Sequence, residues 1–76
     1  MGKIHKVIQK MKNQPNGIIP QEADRVLSAF GYRLDRQRGS HCQYVNSTGD
    51  VLTVVHSNPI KKVYVTAILE RIGEKE

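Results

Sequence analysis

The chain has no tryptophan, a single phenylalanine and three tyrosines. Proteins that grip single-stranded nucleic acid regardless of sequence stack its bases on exposed aromatic platforms, and so few rings do not build one. There is one cysteine, Cys42, so no internal disulfide can form and nothing points to an oxidising compartment. No apolar run approaches the roughly 20 residues needed to span a bilayer. The opening Met-Gly-Lys is followed by polar and apolar residues in alternation rather than by a signal-peptide core. The expectation is a cytoplasmic protein with no membrane association. Metal ligands are also scarce. Cys42, His5, His41 and His56 show no CxxC or HxxxH spacing, whereas a zinc site needs three or four converging donors. No metal and no cofactor is expected.

Acidic residues are the remaining shortage. Seven Asp and Glu stand against twelve Lys and Arg, for a formal net charge of +5. The basic residues fall in three groups: Lys3, Lys6, Lys10 and Lys12; Arg33, Arg36 and Arg38; Lys61 and Lys62. Such a balance on a small domain attracts polyanions and speeds their encounter, although many small soluble proteins are basic without touching nucleic acid. At 76 residues, 38% hydrophobic and 25% charged, the chain suits one folded domain with a simple core and is too apolar for disorder.

What is present is periodicity. Ile4, Val7, Ile8 and Met11 mark one face of a first helix, which Asn13-Gln14-Pro15-Asn16-Gly17 breaks. A second helix begins at Pro20, a residue suited to a first helical position, and carries Ala23, Val26, Leu27 and Phe30 on its core face up to Gly31. The period then changes to two. Tyr32 and Leu34 alternate with Arg33 and Asp35 as in a half-buried strand. A short turn at Arg38-Gly39 sends His41 to Asn46 back antiparallel, and VLTVVH follows a second turn as a third strand. Val65, Ile68, Leu69 and Ile72 give a closing helix, stopped at Gly73. The expected fold class is α+β in the order α-α-β-β-β-α, a three-stranded antiparallel sheet with its helices on one face.

Strand alternation separates His41 from its neighbours. Tyr44 and Cys42 share the face that most needs burial, so His41 and Gln43 point the other way. A Cys-His dyad is excluded, because it needs thiol and imidazole on the same side. Two readings of His41 stay open from the residues alone. It is a surface residue of a hairpin, or it is a proton-transfer group beside arginines. The second suits RNA, whose 2′-hydroxyl is a built-in nucleophile: a histidine can move the proton, and cations can stabilise charge growing on the phosphoryl oxygens.

The pattern Phe30-Gly31-Tyr32, Leu34, Arg36, Gly39-Ser40-His41, Tyr44, Val51-Leu52-Thr53-Val54 and His56, with Ile68-Leu69 and Gly73 in the last helix, resembles the HicA family, small toxins of bacterial toxin–antitoxin pairs. The most specific piece is Gly-Ser-His opening the second strand, with an aromatic three residues on. The resemblance implies a fold like a double-stranded-RNA-binding domain, cleavage of mRNA with His41 as the catalytic residue, and a HicB-like antitoxin that covers the site. DNA contact by this chain itself is not expected. Val55 stands where many members have proline, and Lys61-Lys62-Val63-Tyr64 replaces a frequent Gly-Thr. On this reading residues 1–76 form one domain, with 1–19 a helical extension and 20–76 the family core.

The RNA groove is expected to be lined by Arg33, Arg36, Arg38, Gly39, Ser40, Lys61 and Lys62. The competing reading is a non-catalytic double-stranded-RNA-binding module, and a third is a protein-interaction domain with a merely solvated basic surface. Cys42 and Tyr44 are read as core, His56 as a partly buried strand end, and His5 as solvated.

Overall fold

The computed structural model describes residues 2–73. Helix α1 spans Gly2–Asn13, and a 3₁₀ turn at Pro15–Gly17 leads into α2, Pro20–Ala29. Strands β1 (Arg33–Arg38), β2 (His41–Val45) and β3 (Val51–Val55) follow, then α3, Lys62–Arg71. The sheet is an antiparallel meander in the order β1-β2-β3. This is the α-α-β-β-β-α order read from the sequence.

One core lies between the helices and one face of the sheet. Ile8 and Met11 from α1, Ala23, Val26 and Leu27 from α2, and Val65, Ile68 and Leu69 from α3 pack with Cys42, Tyr44, Leu52 and Val54 of the sheet. Each large apolar side chain so buried contributes on the order of 1.5–3 kcal/mol. The linkers join this core. Ile18 and Ile60 are fully buried, and the Ile60 N–H donates to the Ile18 carbonyl at 2.7 Å. Lys10 reaches across from α1 to Glu22 at 3.0 Å, while Glu22 also accepts from the Ile19 N–H at 3.1 Å and so satisfies a free donor at the start of α2. Burial works against the charged form of Glu22, but these two donors outweigh it and hold the carboxyl below its usual range.

Two apolar expectations need correction. Phe30 is 42% exposed, because α2 ends at Ala29 and the chain turns away through Gly31 at φ 89°. Leu34 is 44% exposed rather than half-buried, because no described helix packs substantially over β1 and all six of its residues are open to solvent, whereas α3 covers the other edge strand, β3. Tyr32, expected in that strand, precedes it as a buried residue whose hydroxyl donates to Asp50 at 2.6 Å. Arg71 pairs with the same carboxylate, tying the end of α3 to the β2–β3 turn.

Candidate functional site

The strand β2 divides its residues between two environments. Cys42 and Tyr44 are buried, whereas His41 and Gln43 are exposed on the opposite, outer face. The turn that delivers His41 is two residues long, since Arg38 pairs with His41. Gly39 takes φ 59° at its first central position, which a side chain would disfavour and a hairpin turn of this hand requires. The turn is held at both ends. Gln37 donates to the Gly39 carbonyl at 3.0 Å, and the His56 N–H donates to the Ser40 carbonyl at 2.7 Å.

Directly paired residues of an antiparallel ladder share a face, with their Cβ atoms about 5 Å apart. His41 lies opposite Arg38 on one side and Val55 on the other; Gln43 lies opposite Arg36 and Thr53; Val45 lies opposite Arg33 and Val51. All three arginines of β1 therefore stand on the His41 face. Strict alternation along Arg33-Leu34-Asp35-Arg36-Gln37-Arg38 would not do this, for it would put Arg36 and Arg38 with Leu34. A bulge between Leu34 and Arg36 resolves it: Asp35 is an extra residue, and the parity of the strand resets behind it.

The result is a shallow concavity of about 500 Å³ lined by Arg36, Gln37, Arg38, His41, Gln43 and Thr53. Neither imidazole nitrogen of His41, nor the guanidinium of Arg36 or Arg38, has a hydrogen-bond or ion-pair partner among the described residues. Arg33 has only a loose, exposed pair with Asp35 at 3.7 Å. The face thus holds cations and an imidazole with their bonding capacity unspent, an arrangement suited to a phosphate ester.

The other candidates fall elsewhere. Lys61 and Lys62 are exposed at the start of α3 and do not line this concavity; Lys62 borders a separate groove between α1 and α3, with Met11, Pro15 and Leu69. His56 follows β3 and is partly buried, with Nε2 3.1 Å from the Tyr44 hydroxyl, which in turn donates to Asp24 at 3.0 Å. Burial, and then the bond to Asp24, push the Tyr44 phenol far above its usual range, so the hydroxyl keeps its proton. With that proton given to Asp24, the His56 Nε2 must itself donate to the Tyr44 oxygen, while the rest of the ring borders an open concavity with Pro20, Gln21, Asp24 and Arg25. Cys42 is buried and its thiol is pushed up by desolvation, which keeps it protonated and unreactive. Among the described residues no group of three His, Cys, Asp or Glu could hold a metal, and no helix is long and apolar enough to cross a membrane.

Residues 20–74 match the protein family described as "HicA toxin of bacterial toxin-antitoxin". The chain belongs to the HicA toxin family. It is therefore the toxin of a toxin–antitoxin pair, as the Gly39-Ser40-His41 and Tyr44 pattern led us to expect. The match takes in the whole sheet, α2 and α3, while α1 precedes it. Neither curated proteins nor solved structures gave a match.

Sequence reasoning turned Gln43 to the outer face without naming it a site residue, and it missed Gln37 and Thr53 as lining residues, the Asp24–Tyr44–His56 chain, and the bulge. None of these had a signal in spacing alone, since the bulge shows only in the register of β1 against β2.

Proposed function

We propose that this HicA-family toxin is a metal-independent endoribonuclease that cleaves mRNA and so inhibits translation, with His41 as its general acid/base. The observation that carries the reading is the unpartnered His41 imidazole flanked on its own face by Arg36 and Arg38, themselves unpaired among the described residues. In this scheme the RNA backbone lies over the outer face. His41 accepts the proton of a 2′-hydroxyl as that oxygen attacks phosphorus, the bond from phosphorus to the 5′-oxygen breaks, and the leaving oxygen departs with a proton from water. Arg36 and Arg38 stabilise the charge that builds on the phosphoryl oxygens. The products are a 2′,3′-cyclic phosphate and a 5′-hydroxyl.

His56 supports the choice by contrast, since its Nε2 is engaged with Tyr44 on the other side of the sheet. Gly39 and Ser40 enter as the turn that fixes His41, and Arg33 as the outer end of the arginine row. Lys61 and Lys62 are at most a distant extension of the phosphate path around the sheet.

The test is cleavage of a synthetic mRNA by the wild-type chain and by His41→Ala. One imidazole in proton transfer contributes about 10²–10⁴-fold to rate, so the variant should lose detectable cleavage while keeping its fold and most of its RNA affinity. Chelators should change nothing, and a 2′-O-methyl or DNA substrate should resist cutting. Cleavage that survives His41→Ala, or that stops with EDTA, sinks the mechanism. A wild-type chain that binds double-stranded RNA without cutting any RNA would instead be the non-catalytic module.

A further inference from the structure

The strand β1 is anomalous. A strand in a small α+β domain usually buries one face under helices, yet β1 is exposed at every position and, among the described residues, packs substantially only against β2. Its outer edge carries about 20 Å of backbone whose N–H and C=O groups have no backbone partner among the described residues. Its two faces also differ. The outer one presents Arg33, Arg36 and Arg38, and the helix-side one presents Leu34, opposite Tyr44 and far more exposed than it. Phe30, four residues earlier, is another large apolar side chain left open.

An open edge accepts one of three occupants, and the side chains discriminate between them. A second copy of this chain pairing β1 to β1 would bring two rows of arginines together on one face, and like charges across a ladder are destabilising. RNA can use the arginines, but it has no use for an exposed leucine, nor for a row of alternating backbone donors and acceptors. An acidic polypeptide strand uses all three features at once.

We infer that the antitoxin silences this toxin by adding a strand to the free edge of β1, with acidic side chains beside Arg33, Arg36 and Arg38 and an apolar side chain beside Leu34. The inference rests on the antitoxin partner that the family implies. It specifies the partner segment: about six residues in which acidic and apolar residues alternate, because successive side chains of an added strand point to opposite faces. It also specifies the mode of silencing. The added strand neutralises the phosphate-binding arginines next to His41, so antitoxin and RNA exclude one another.

The experiment compares backbone hydrogen exchange in two samples: the wild-type chain co-purified with the HicB-type antitoxin encoded beside it, and the free His41→Ala chain, which can be produced alone. Strand addition should slow the β1 amides that point away from β2 by about a hundredfold. Leu34→Thr, which keeps a strand-compatible side chain outside the proposed RNA site, should weaken the complex about tenfold and leave RNA cleavage unchanged. A stable complex whose outward β1 amides exchange at the free rate overturns the inference while leaving the toxin–antitoxin pairing intact. Absence of any complex removes the pairing as well. Protection of those amides in the free chain with dimerisation, or by an RNA oligonucleotide alone, would assign the edge to a second copy or to RNA and overturn the proposal.

Discussion

The two faces of this sheet are made by alternate residues of the same strands, and they are finished to opposite standards. On the helix side Tyr44 is enclosed, and its hydroxyl is bonded to both Asp24 and His56. No buried side-chain nitrogen or oxygen among the described residues lacks a partner there. On the outer side of the same strands, His41, Arg36 and Arg38 have no such partners among the described residues. The two histidines at this end of the sheet make the contrast in a single residue type. His56 is tied through Nε2 to the Tyr44 hydroxyl, and His41 is tied to nothing among the described residues. The difference between them lies in surroundings, not in residue type: one ring nitrogen of His56 is taken up by Tyr44, whereas both of His41 face solvent without a partner among the described residues.

That contrast can be broken from the covered side first, where the effect on stability is largest. Met11 is fully buried and comes from α1, outside the family-matched segment. Met11→Ala should cost about 2–5 kcal/mol of folding stability, read from urea unfolding. The outer face should not notice. Cleavage per folded molecule should match wild type, and a fall beyond the loss of folded protein would mean that α1 shapes the active face as well as the core.

A change on the outer face should do the reverse. Replacing Arg36 and Arg38 together by alanine should lower the dependence of log affinity for single-stranded RNA on log salt by about 0.7 per arginine. The unfolding midpoint should stay where it is, since neither side chain is paired among the described residues. An unchanged slope would put the phosphate path elsewhere, with Lys61 and Lys62 the next candidates.

The covered face was readable in the sequence because burial imposes a period. Ile8, Met11, Ala23, Val26, Leu27, Val65, Ile68 and Leu69 recur at helical spacing, and Cys42, Tyr44, Leu52 and Val54 at strand spacing; all are buried. The same rule put His41 outside by parity with Tyr44. It failed at Phe30 and Leu34, where apolar character was present but no element lay above to cover it. Hydrophobicity says what would gain from burial, not where the helices end. Nor could spacing alone bring Arg33, Arg36 and Arg38 to one face, because a bulge is a property of pairing between two strands. The bond that Tyr44 donates to Asp24 and the one it accepts from His56 were equally hidden, since they join residues 20 and 12 positions apart.

The bulge gives the subtlest test of how the two faces are kept apart, and it predicts that one deletion is silent where its neighbour is not. If Asp35 is the extra residue, removing it leaves Arg33, Leu34, Arg36, Gln37 and Arg38 opposite the same partners on β2, in a regular ladder. Only the exposed ion pair with Arg33 disappears with it, and such pairs contribute little. Cleavage and salt dependence should therefore stay close to wild type. Removing Gln37 from the same strand shortens the chain equally, but on the far side of the bulge. With the hairpin turn fixed, Arg36 then falls opposite Cys42 on the helix side, and Asp35 takes its place opposite Gln43 on the outer face. A positive charge in the concavity is exchanged for a negative one, and a guanidinium is pressed toward the core. That variant should lose RNA affinity and stability together. Equal behaviour of the two deletions, in either direction, would show that the arginines reach the His41 face by some route other than an extra residue at Asp35.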